Sequence, residues 1–199
     1  SRITGDTCAD PFLITSLPYT DTGSTSDFNH DYDEVCPYSG SISPDVVYEY
    51  TPSGNILINV SLCNDGTSYD SKLYIYQDSC TSGSLIDCND DACSTAGYPS
   101  PYVSELIDVY LLAGHTYYIV IDGYGNDSGD YELTVEAGDE YDFGDAPDPT
   151  FPTLVTSNGA RHLLVPGVCL GSTVDSEVNG QPSSGCDGDD SDGNDDEDG

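Results

Sequence analysis

The chain has 199 residues, with 37 Asp and Glu against 3 Lys and Arg, for a formal charge of -34. That balance excludes electrostatic binding to nucleic acid or to anionic lipid, since both need a basic surface. Self-repulsion on this scale also opposes compaction unless cations screen or coordinate the carboxylates. Eight cysteines argue for an oxidising compartment, and no stretch approaches the roughly 20 apolar residues of a membrane span, so membrane insertion is not expected. The sequence has no signal peptide and no methionine, which predicts a processed or excised piece of a secreted product.

Residues 1–45 are rich in Thr, Ser, Asp and Pro, with one short apolar run, Pro11-Phe12-Leu13-Ile14, and two cysteines, Cys8 and Cys36. A bridge between those two would tie the opening segment across a long polar excursion. Strand signals then follow closely: Val46–Tyr50, stopped at Pro52-Ser53-Gly54, then Ile56–Leu62 and Leu73–Gln77. Val103–Leu112 and Thr116–Asp122 flank Ala113-Gly114-His115, which reads as a hairpin turn. Tyr131–Glu136 closes the set with polar/apolar alternation. No segment carries a long helical period. Short strands separated by turn signals predict an all-β chain, an antiparallel jelly-roll-like β-sandwich over residues 1–137.

The stretch Ser61–Cys93 is the centre of that reading. It holds half of the cysteines, the alternating run Leu73-Tyr74-Ile75-Tyr76 and two clusters of hard oxygen ligands. Sequence proximity pairs Cys63 with Cys80 and Cys88 with Cys93, although eight cysteines allow 105 connectivities. A closed loop of about 15 residues contributes on the order of 3 kcal/mol in the chain-entropy picture. Around Ala137-Gly138 the character changes. Residues 138–199 are dominated by Pro, Gly and Asp, and their strongest apolar run is Leu163-Leu164-Val165. They are read as a smaller, loop-rich acidic domain, with Cys169 and Cys186 placed to bridge its base.

Two regions are candidates for metal binding. In the tail, Asp187, Asp189, Asp190, Asp192, Asn194, Asp196 and Asp198 alternate at short intervals among glycines. Asn194–Gly199 matches the opening of a D-x-D-x-D-G loop without its distal bidentate acid. All-oxygen donors suit calcium better than zinc; the plain alternative is a flexible acidic tail. The second candidate joins Asp70 with Asn89, Asp90 and Asp91, and could add Asp65 or Asp78. Its alternative is ordinary Asx-turn chemistry. Asp122 and Asp130, flanking the glycine-rich 123–129 loop, are read as turn residues. Asn59 and Asn126 open Asn-x-Ser sequons, so either could carry sugar if exposed.

Residues 46–136 resemble the bacterial pre-peptidase C-terminal domain. The likeness is carried by Asp45-Val46-Val47-Tyr48, the Ser68-Tyr69-Asp70 turn, Cys88-Asn89-Asp90-Asp91 and the run Ala113–Gly123. Such domains are β-sandwiches appended to secreted proteins and are not themselves catalytic. Residues 142–199 look like the start of the acidic GEVED-type domain of bacterial surface proteins. Asp142–Asp148, Asn158-Gly159-Ala160-Arg161-His162, Leu170-Gly171 and Asp187 through Gly199 carry that likeness. The sequence stops where that family would continue into further strands, so the second domain is expected to be incomplete.

Catalysis is not expected. His30 sits in a polar loop, His115 in a turn and His162 within the second resemblance, and no nucleophile elbow, His-Glu-x-x-His or phosphate loop occurs. The expected function is a structural module at the bacterial cell surface, stabilised by Ca2+ and disulfides. It would build an adhesin or an extracellular filament, either through head-to-tail strand addition or beside neighbouring domains of a larger protein. The alternative is a carbohydrate- or protein-binding accessory module of a secreted hydrolase, with 16 tyrosines available for stacking but no Trp.

Overall fold

The computed structural model describes residues 3–165, 176–185 and 188. The chain divides into two compact units, Ser1–Gly138 and Asp139–Gly199. The first unit is an all-β sandwich. Its strands are β1 (Phe12–Ile14), β2 (Tyr19–Ser24), β3 (Val46–Tyr50), β4 (Ile56–Ser61), β5 (Ser71–Gln77), β6 (Leu85–Asn89), β7 (Glu105–Leu111), β8 (Tyr117–Gly123) and β9 (Asp130–Ala137). One sheet has five strands in the order β1-β3-β8-β5-β6, the other four in the order β2-β9-β4-β7. Every pairing is antiparallel except β1 with β3, which is parallel.

Alternation sets which side chains meet. Along β5, Leu73 and Ile75 face the interior with Val46, Tyr48, Ile119 and Ile121 of the same sheet. Opposite them stand Ile58, Val60, Leu106, Val109, Leu133 and Val135 from the four-stranded sheet. Period-two side-chain geometry sends Lys72, Tyr74 and Tyr76 to the other face of the sheet. There Tyr74 and Tyr76 pack with Val47, Val120 and Cys36. That outer face is covered as well, so β5 is buried on both sides up to Tyr76.

The expected hairpin across Ala113-Gly114-His115 does not form. β7 pairs with β4 in one sheet and β8 pairs with β3 and β5 in the other, so the turn crosses between layers. Leu111 and Tyr117 at its two ends both enter the core. The Tyr117 hydroxyl accepts from the Leu112 N–H at 2.7 Å and pins the crossing.

The disulfides also differ from the expectation. Cys8 bonds Cys80, Cys36 bonds Cys88 and Cys63 bonds Cys93, replacing the anticipated Cys8–Cys36, Cys63–Cys80 and Cys88–Cys93 pairs. The reason is topological: folding lays the opening segment over the β5–β6 edge of the larger sheet, so its two cysteines meet cysteines there rather than each other. Cys169 and Cys186 lie outside the described residues. Three disulfides point to an oxidising environment. Among the described residues no helix is long and apolar enough to cross a membrane.

In the second unit β10 (Tyr141–Phe143) pairs antiparallel with β11 (Arg161–Leu163). Phe143 is buried, and the Arg161 guanidinium lies over Tyr141 and Phe143 at 5.1 and 5.6 Å from the ring centroids. Asp148 organises the intervening loop, accepting from the N–H of Thr153 and the hydroxyl of Ser157.

Candidate functional site

Asp70 immediately precedes β5, and Asp90 and Asp91 immediately follow β6. Because β5 and β6 run antiparallel, with Leu73 opposite Asn89, the start of one strand and the end of the other share one end of the sheet. One ligand oxygen from each of Asp70, Asp90 and Asp91 falls within 4.8 Å of the others. Two oxygens held about 2.4 Å from a common calcium can be at most about 4.8 Å apart, so these donors fit one ion.

The surrounding backbone fixes this convergence. The Ser104 hydroxyl donates to the Asp90 carbonyl at 2.9 Å and also to the Ser71 carbonyl. Its own N–H donates to the Ser71 hydroxyl at 3.0 Å. The Tyr124 N–H donates to the Asp70 carbonyl, and the Asp127 N–H to the Tyr124 carbonyl. The turn at 89–92 is bounded by two cross-linked cysteines, Cys88 to Cys36 and Cys93 to Cys63.

Asp90 is 4% exposed and its Oδ1 has no hydrogen-bond partner. A buried carboxylate oxygen without a donor is costly, and a cation is the natural complement of three converging acids. Burial first, then the charges of Asp90, Asp127 and Asp91, pushes Asp70 up to about 6. Burial, then Asp91, pushes Asp90 up to about 6, with Lys72 opposing. A divalent ion would reverse both shifts.

Asn89 lies beside the cluster, its Nδ2 donating to the Asp91 carbonyl at 3.5 Å. The Asn89 Oδ1 accepts from the Glu105 N–H at 3.2 Å. The Asp65 Oδ1 accepts from the Ala96 N–H, and Asp78 pairs with His115 at 2.7 Å while accepting from the Thr116 N–H. The candidate tail ligands Asp187, Asp189, Asp190, Asp192, Asn194, Asp196 and Asp198 lie outside the described residues. Asn59 is half-buried with its Oδ1 taken by the Asp108 N–H, whereas Asn126 is exposed on its loop.

Sequence reasoning overlooked a second polar assembly, on the outer face of the five-stranded sheet. Lys72, the sole lysine, is 1% exposed. Its Nζ donates to the carbonyls of Glu34 and Tyr38 and lies 3.6 Å from Asp33. The Tyr76 hydroxyl donates to Glu34 and the Tyr74 hydroxyl to Asp122. Asp45, fully buried, accepts from the N–H groups of Asp31 and Tyr32. Burial, reinforced by Asp122 and Asp31, pushes Asp45 up to about 8 against those two hydrogen bonds. Asp122, read as a turn residue, is a buried acceptor here and is pushed up to about 6 by burial. The signal was present in the alternation: a lysine two residues before Tyr74 must share its face.

Comparison with known protein families finds no match, and no curated protein is significantly similar to the chain.

Proposed function

We propose that the chain is a non-catalytic, extracellular structural module, a β-sandwich of the pre-peptidase C-terminal kind whose fold is held by disulfides and by calcium. The observation that carries this reading is the unpartnered, buried Asp90 oxygen among Asp70 and Asp91. The ligand turn stands between two cross-linked cysteines, which supports the view that sulfur and calcium reinforce the same end of the sandwich. Extracellular calcium, abundant and favouring oxygen donors, suits the site. Calcium titration of the oxidised full chain and of Asp90→Asn tests it. One binding site present in the first and missing from the second is the expected result; identical titrations would contradict it.

In its fuller form the reading makes the module a building block of a bacterial surface adhesin or filament. Among the described residues both sheets of the sandwich are open, ending on β1 and β6 and on β2 and β7, so strand addition from a neighbour would have edges to use. Sedimentation of concentrated protein in calcium should then reveal chain-length growth, and a monomer at every concentration would argue against it.

A further inference from the structure

We propose that the Asp70, Asp90 and Asp91 centre, once it holds calcium, is a recognition site for neutral sugars, taking a pair of vicinal hydroxyls at the ion with tyrosine rings beside them. This rests on the metal reading above and adds a ligand to it.

Coordination supplies the first argument. Calcium takes about six to eight oxygens, and three carboxylates provide about three to six. Asp90 is buried, Asp70 is half-buried and Asp91 is exposed, so the cluster borders solvent on the Asp91 side. Ligand oxygens would approach the ion from that side.

Two tyrosines adjoin Asp70 through their backbones. The Asp70 carbonyl accepts from the Tyr124 N–H and the adjacent Ser71 N–H donates to the Tyr102 carbonyl, so the main chain of both tyrosines runs beside Asp70. Their side chains are 44% and 45% exposed for Tyr102 and Tyr124 respectively. Tyr124 is packed edge-on with exposed Tyr38, ring centroids 6.1 Å apart, which orders the ring. Burial, followed by the charges of Asp70 and Asp127, raises the Tyr98 phenol. Amphipathic rings with a wet edge suit a ligand that has apolar C–H faces and hydroxyl rims.

Charge selects among possible ligands. Three carboxylates already exceed the +2 of the ion, Asp127 adds a further negative charge nearby, and the whole chain carries -34. An acidic peptide or the acids of a second copy would approach against that field. Neutral hydroxyl oxygens incur no such repulsion.

The test uses the oxidised full chain on an array of neutral oligosaccharides in calcium and in EDTA, alongside a calcium titration. Binding that needs calcium and weakens roughly fivefold to tenfold in Tyr102→Ala and in Tyr124→Ala supports the proposal, provided calcium affinity stays within about twofold. Calcium binding with no sugar retained overturns the sugar assignment and leaves the metal reading standing. Absence of calcium binding removes both. Sugar retained equally in EDTA, or calcium-driven self-association that no sugar competes, also overturns it, the latter assigning the open positions to a second copy.

Discussion

The two faces of the five-stranded sheet are both buried, yet by different means. The inner face is mainly apolar, Leu73 and Ile75 of β5 meeting Ile119 and Ile121 and the opposing sheet, with one buried pair of hydroxyls, Tyr48 and Tyr131, 2.7 Å apart. The outer face carries Lys72, Tyr74, Tyr76 and Asp122, covered by the opening segment and crossed by the Cys8–Cys80 and Cys36–Cys88 bridges. One face is held by hydrophobic burial, which tolerates volume-conserving change. The other is held by cross-links and by hydrogen bonds that are expensive to leave unmade. A polar segment too poor in apolar residues to bury itself is thereby kept as a layer of the fold.

Substitutions should separate the two regimes, and the largest effect is expected at the lone lysine. Lys72→Ala strands two carbonyls and uncovers Asp33 in a low-dielectric layer, so denaturant unfolding at fixed calcium should show a loss of about 3–5 kcal/mol. Next comes the Cys36→Ser, Cys88→Ser double variant. It should lose roughly 2–4 kcal/mol and show faster amide exchange in residues 28–45 than in β8. Exchange that accelerates equally in both would mean the layer is not separately tethered.

Smaller changes compare the faces directly. Tyr76→Phe removes the only donor that Tyr76 gives Glu34 and should cost about 1–3 kcal/mol by equilibrium unfolding. Ile75→Val, its inward neighbour, should cost about 0.5–1.5 kcal/mol. The outer layer also predicts an unusual pH slope. Asp45 is raised from 3.8 to about 8 in the folded chain, chiefly by burial. Between those values the folded state binds the extra proton, so stability should fall as pH rises from about 4 to about 8. Asp45→Asn should flatten that slope in a pH series of thermal melts. His30 lies 3.9 Å from Asp45, and Asp122, pushed up to about 6 chiefly by burial, adds to the same slope.

How much of this could be read from residue order follows from the same contrast. Strands β3, β4, β5, β8 and β9 announce themselves because period-two alternation of Val, Ile, Leu and Tyr encodes a face. Strand β6, Leu85-Ile86-Asp87-Cys88-Asn89, was hidden because its polar and cysteine content reads as a turn. The crossing of Ala113-Gly114-His115 was misread as a hairpin, since a turn signal does not say which sheet the next strand joins. Disulfide partners were unreadable for a related reason: Cys36 and Cys88 become neighbours only after the opening segment folds over the sheet. The approach of Asp70 to Asp90 and Asp91 depends on the β5–β6 pairing, yet the acidic spacing alone nominated those residues. Asp127 was passed over because its glycine-rich loop satisfies turn chemistry unaided.

Calorimetric unfolding of the oxidised full chain, in calcium and in EDTA, with Asp90→Asn run alongside, tests most directly whether a divalent ion completes this fold. The account predicts a melting temperature several degrees higher in calcium, a shift of about 4 °C corresponding to roughly 1–2 kcal/mol at this size, and a smaller shift in the variant. Equal melting temperatures in calcium and EDTA, or a full shift retained by Asp90→Asn, would contradict it.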